Sequence, residues 1–105
     1  MTLNEYQALS RRTFKGKGAD ISNATLGIAG EAGEIADYVK KCMYQGHQYD
    51  VAVMVEELGD LLFYIANMAS LCGVTLEDIA KYNYKKLLKR YPYGFEVERS
   101  INREV

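Results

Sequence analysis

The chain has 105 residues, enough for one domain, with 13 Lys and Arg against 14 Asp and Glu for a net charge of −1. Hydrophobic residues make up 49 % and charged residues 26 %, the balance of a globular protein that buries about two-thirds of its unfolded surface in a single core. A general nucleic-acid coat, which needs a large cationic excess, is excluded, and no apolar run approaches the ~20 residues of a membrane span. Neither a nucleic-acid polymer nor a membrane is therefore an expected partner.

The opening MTLNEYQALSRR has no apolar h-region and does not read as a signal peptide. Cys42 and Cys72 are too few for a disulfide framework and lack zinc-site spacing. A reducing cytoplasm is the expected setting.

Thr2 and Glu5 form a T-x-x-E capping box, so a first helix is expected from there to about Phe14. Gly16 to Asp20 breaks it, and Asp20 or Ser22 can cap a second helix to about Tyr44. After the turn QGHQYD, Asp50 caps a third helix from Val51 to about Leu71, stopped by Gly73. Thr75 with Asp78 caps a fourth, which ends before Tyr91 and the single proline, Pro92. The tail from about residue 92 has no clear period and reads as irregular.

On the third helix Val51, Met54, Leu58, Leu61, Ile65, Met68 and Cys72 recur at alternating spacings of three and four, a seam for near-parallel packing. Val55, Leu62 and Ala69 widen it. The fold class expected for residues 1–105 is all-α, a four- to five-helix bundle in one domain.

The chemistry lies in paired acids. Glu31 and Glu34 on the second helix, and Glu57 and Asp60 on the third, each stand three residues apart on one face. Tyr64 and Asn67 continue the second row, which borders the apolar arc rather than lying at its centre. Desolvating uncompensated carboxylates costs several kcal/mol, so four that converge imply a cation, and all-oxygen ligands suit Mg²⁺, Mn²⁺ or Ca²⁺. Gly27 and Gly30 share the face of Glu31 and Glu34, at about 1 kcal/mol each against alanine. Something is expected to approach the backbone there, a ligand or another helix. The fourth helix carries the opposite sign in Lys81, Lys85, Lys86, Lys89 and Arg90. Metal and cations converging on one anion is the arrangement that phosphoryl transfer uses.

With these residues in place, LGIAGEAGEIADYVKK, EELGDLLFYIANMA and NYKKLLKRYPYGF together resemble the MazG-like all-α nucleoside triphosphate pyrophosphohydrolases. The shared signature is E-x-x-E followed, after a spacer, by E-x-x-D, with N-x-x-K-L-x-x-R-Y-P-x-G-F in the fourth helix. The resemblance covers about residues 23–95. It implies hydrolysis of nucleoside triphosphates, aberrant ones included, to monophosphate and pyrophosphate, as in house-cleaning of nucleotide pools. It also implies that Glu31, Glu34, Glu57 and Asp60 hold Mg²⁺ (Mn²⁺ as a substitute) and that a glutamate such as Glu34 activates water. Lys86 and Arg90 would contact the triphosphate, and Tyr64, Asn67 and Asn83 would serve the nucleotide. The bundle would be completed in a homodimer or homotetramer. Asn4, Gln7, Arg11 and Arg12 are candidates for the base pocket, and Tyr82, Tyr84, Tyr91 and Tyr93 could stack on a base or line interfaces.

Two rivals are weighed. A di-iron carboxylate bundle needs E-x-x-H pairs, and the one histidine, His47, does not follow a glutamate by three. A non-catalytic helical dimerisation or binding module explains the third helix's seam but not the coexistence of two acid pairs with the N-x-x-K-x-x-x-R array.

Overall fold

A computed structural model describes residues 1–103, and among these it is helical with no strand. Five helices follow in order: α1 Leu3–Ser10, α2 Ile21–Tyr44, α3 Val51–Leu71, α4 Leu76–Arg90 and α5 Val97–Ile101. The caps decide where they begin. Thr2 and Glu5 exchange both hydrogen bonds of a capping box, as do Thr75 and Asp78. Asp20 accepts from the Asn23 amide at 2.8 Å and Asp50 from the Ala52 amide at 2.9 Å. Asp20 rather than Ser22 thus caps α2.

α1 stops four residues short of the expected Phe14. The Ser10 hydroxyl takes the Gln7 carbonyl at 2.8 Å, the acceptor an α-helix would give to the Arg11 amide. Arg11, Arg12, Thr13 and Phe14 then bond three residues back, in tight turns. The tail, expected to be irregular, contains the short helix α5 after a turn at Gly94 (φ 97°).

α2 and α3, about 36 and 32 Å long at 1.5 Å per residue, run antiparallel and pack along their length. The Tyr38 hydroxyl pins their connection, accepting from the Asp50 amide at 2.6 Å and donating to its carbonyl at 3.2 Å. Near the N-terminal end of α2, Gly27 makes room for the ring of Tyr64, which a methyl at Gly27 would overlap. The close approach expected at Gly27 is therefore by a helix, whereas Gly30 faces open space.

α4 leaves α3 at a bend of 94°. Gln7 fixes that corner: its side chain donates to Ser70 Oγ at 3.0 Å and to the Val74 carbonyl at 2.9 Å, and accepts from the Leu76 amide at 2.7 Å. Asn4 accepts from the next amide, Glu77, at 3.1 Å.

The buried apolar core is small: Ala24, Ala66, Ala69 and Leu76, with Tyr6, Leu62 and Ile65 packed at its edge. The third-helix seam is exposed at Val51, Leu58 and Cys72 and half-buried at Met54, Leu61, Ile65 and Met68, with α2 lying against the flank that carries the acids and Tyr64. Val51 and Val55 remain 64 % and 62 % exposed, and Leu58 is exposed too. The radius of gyration is 16.9 Å, against about 13 Å for a compact chain of this length. No single helix among the described residues is long and apolar enough to cross a membrane.

Candidate active site

Packing the acid-bearing flanks of α2 and α3 together brings three carboxylates into one place. An oxygen of each of Glu31, Glu57 and Asp60 lies within 4.8 Å of the other two. Glu31 and Glu57 are half-buried, and Asp60 is exposed. Glu34 stands outside this group, exposed one turn further along α2. Its charge still reaches the cluster: partial desolvation first, then the charges of Glu34, Glu31, Asp60 and Glu56, hold the Glu57 carboxyl above its ordinary range. Tyr6 of α1 borders the cluster, its hydroxyl pushed up by burial and then by the Asp60 charge.

Among the described residues no ion pair relieves these acids. Nearby Asp37 is held by Lys41 at 3.0 Å and Lys40 at 3.3 Å. Oxygen-only donors from two rigid helices, without cysteine or histidine, fit a hard divalent cation.

Tyr64 sits one turn along α3 from Asp60, edge-on to Phe63 at 5.1 Å and to Phe14 at 6.5 Å. Asn67, one turn further, is 1 % exposed, its amide donating to Phe63 O at 2.9 Å and Ser10 Oγ at 3.2 Å. Of the N-terminal candidates, Asn4 and Gln7 are engaged at the α4 corner and Arg12 is exposed. Arg11 lines a cavity together with Asn67. Sequence reasoning did not single out Tyr6 or Phe14; both are scattered α1-side aromatics without a spacing signal.

The basic helix is not brought to the acids within one chain. Asp60 lies eleven residues before the end of α3, and Lys86 and Arg90 lie ten and fourteen residues past the start of α4. Across a 94° corner that separates them by roughly 20–30 Å at 1.5 Å per residue. Lys86 and Asn83 are exposed. Arg90, with Lys89, Arg99 and Asn102, lines a separate cavity of about 250 Å³, and its buried Nε has no partner among the described residues.

A sequence model of the MazG nucleotide pyrophosphohydrolase domain matches residues 20–95, which hold all four acids. The chain belongs to the MazG nucleotide pyrophosphohydrolase family. This MazG domain is 36 % identical over 78 residues to Gene 37 protein of Mycobacterium phage L5, spanning 70 % of this chain and 68 % of that one. It is 42 % identical over 41 residues to the uncharacterized protein YvdC of Bacillus subtilis (strain 168), spanning 39 % of each chain. No solved structure matches it.

Proposed function

We propose that this MazG domain hydrolyses nucleoside triphosphates with Mg²⁺, or Mn²⁺ in its place, between the α and β phosphates. The observation that carries the reading is the convergence of Glu31, Glu57 and Asp60 from two packed helices, with no ion pair to any of them among the described residues. Family membership supports the coarser statement, a nucleotide pyrophosphohydrolase.

Glu31, Glu57 and Asp60 would hold the ion. Once bound it supplies a Lewis acid for phosphate oxygens and lowers the pKa of water. Glu34, outside the three but within electrostatic reach, accepts the proton of the attacking water at its carboxylate. The water oxygen bonds to the α phosphorus, the bond from that phosphorus to the α–β bridging oxygen breaks, and pyrophosphate leaves with the bridging oxygen. Tyr64, one turn from Asp60, would flank the sugar.

Charge on the leaving pyrophosphate calls for cations, and the same chain's Lys86 and Arg90 are too far away. In our reading a second copy supplies them, with Asn83, and covers the exposed residues of the α3 seam. A homodimer is the smallest assembly that does this; a homotetramer repeats it.

Pyrophosphate release from a panel of ribo- and deoxyribonucleoside triphosphates, with and without Mg²⁺, tests the reading. Metal-dependent pyrophosphate and monophosphate are expected. Orthophosphate as product, or silence from folded protein that is indifferent to Mg²⁺, contradicts it and favours a binding module.

A further inference from the structure

Glu31, Glu34 and Tyr38 share one stripe of α2, because positions three and seven apart return to nearly the same direction on a helix. On α3 the facing stripe is Asp50, Glu57 and Tyr64, at spacings of seven. The antiparallel pairing lays one stripe on the other. Tyr38 meets Asp50, Glu31 meets Glu57 and Asp60, and Gly27 meets Tyr64. The acids therefore sit between two fixed contacts: along α2, Glu31 is about 6 Å from Gly27 and about 10 Å from Tyr38.

The two contacts differ in kind. Gly27 against Tyr64 is a close fit, which sets how near the helices come. Tyr38 supplies direction: its hydroxyl accepts from the Asp50 amide at 2.6 Å and donates to the Asp50 carbonyl at 3.2 Å. One oxygen held from both sides by one backbone residue resists sliding, since hydrogen bonds weaken steeply when stretched or bent. The half-buried ring also packs on Tyr49, centroids 6.1 Å apart, but a phenylalanine would supply that contact equally well.

The acids cannot set this register themselves. Without a cation they repel, and that repulsion is part of what holds the Glu57 carboxyl above its ordinary range. Their spacing is also ambiguous. Because both pairs are three residues apart, a slide of about three residues would still set acid against acid, Glu34 on Glu57 and Glu31 on Asp60. A hard cation is less tolerant: Mg²⁺ asks for near-octahedral oxygens at about 2.0–2.1 Å.

We propose, resting on the metal-dependent hydrolase reading, that Tyr38 is a positioning residue for the metal site, its hydroxyl fixing the register of α2 on α3 in which Glu31, Glu57 and Asp60 converge. It acts through the acids and touches neither ion nor substrate. In Tyr38→Phe every ligand remains, but the helices hold the competent register for only part of the time, and the apparent affinity for the ion falls by that fraction.

Mn²⁺ binding to the nucleotide-free protein, followed by electron paramagnetic resonance of the free ion, tests this. Tyr38→Phe is expected to weaken binding about tenfold or more, with helical content unchanged. The control is Asp50→Ala, which removes the carboxylate that caps Ala52 but keeps the amide and carbonyl that Tyr38 grips. It should lower the melting temperature by about 4–8 °C and leave Mn²⁺ affinity within about twofold of wild type. Equal Mn²⁺ affinity in Tyr38→Phe and wild type overturns the positioning role and leaves the metal reading standing. An equal loss in Asp50→Ala also overturns it, because any loosening of the α2–α3 connection would then suffice. No Mn²⁺ binding by folded wild type overturns the positioning role and the metal reading together.

Discussion

Replacing Gly27 with alanine sets two opposed effects against each other at the crossing of α2 and α3. In a helix interior alanine is favoured over glycine by about 1 kcal/mol. At Gly27, however, the added methyl overlaps Cγ, Cδ1 and Cε1 of Tyr64. That ring cannot simply step aside, since it is held edge-on by Phe63 and Phe14. Overpacking of this kind costs about 1–3 kcal/mol, and overlap with three ring atoms belongs at the upper end. The expected net effect is destabilisation by about 1–2 kcal/mol, or very roughly 4–15 °C in a domain this size. Gly33 is the control: nothing lies within 4 Å of a Cβ there, so Gly33→Ala should gain up to about 1 kcal/mol. Thermal melts by circular dichroism at matched protein concentration read both. The overlap also pushes α2 from α3 one turn away from Glu31, so the increment in melting temperature given by Mg²⁺ should shrink in Gly27→Ala alone. A Gly27→Ala protein that melts at or above the wild type would refute the packing argument.

Gln7→Ala removes three hydrogen bonds from the corner that sets the angle of α4 and strands the Leu76 amide, at an expected cost of about 2–4 kcal/mol in urea unfolding; a loss below 1 kcal/mol would mean the corner is held otherwise. In metal-free protein the folded pKa of Glu57 lies above its unfolded value. Its contribution to stability is therefore complete below about 4.5 and lost as pH rises through the folded pKa. Acidification from pH 7 toward that range should raise the urea midpoint of the metal-free protein, until carboxylates held low, such as Asp78, begin to protonate below their ordinary 3.8. A midpoint that falls steadily from pH 7 contradicts this. Finally, Glu57→Gln and Arg90→Ala, each inactive alone, should recover activity when mixed and allowed to exchange subunits, because a hybrid assembly contains one intact composite site. No recovery after demonstrated exchange would place acids and cations in the same chain's site.

Much of this was legible in the residues. Thr2 with Glu5, Asp20, Asp50 and Thr75 with Asp78 mark helix starts because capping is local chemistry, and Gly73 marks a stop for the same reason. The acid rows were legible because spacing by three fixes a face without reference to any neighbour. The end of α1 was not, since it turns on one hydroxyl, Ser10, competing for one carbonyl. The face that α2 takes on α3 was not legible either: apolar spacing marks the seam, whereas α2 lies against the flank, where Gly27 and Tyr64 allow close approach. The right-angled corner depends on Gln7 reaching residues 70 to 76, a contact no local pattern announces. For the same reason the 20–30 Å gap between acids and cations, estimated from helix rise, and the hydrogen bonds of the buried Asn67 amide emerge only once the helices are assembled.

The most direct measurement is the steady-state rate of pyrophosphate release by Asp60→Asn beside wild type, at saturating Mg²⁺ and on the best natural triphosphate. The substitution keeps the side chain's shape and the helical content while removing one charge from the three-carboxylate cluster. The account predicts a fall of about 10²–10³-fold or more, with an unchanged far-ultraviolet spectrum. A folded Asp60→Asn protein that turns over within tenfold of wild type would put the chemistry somewhere other than Glu31, Glu57 and Asp60.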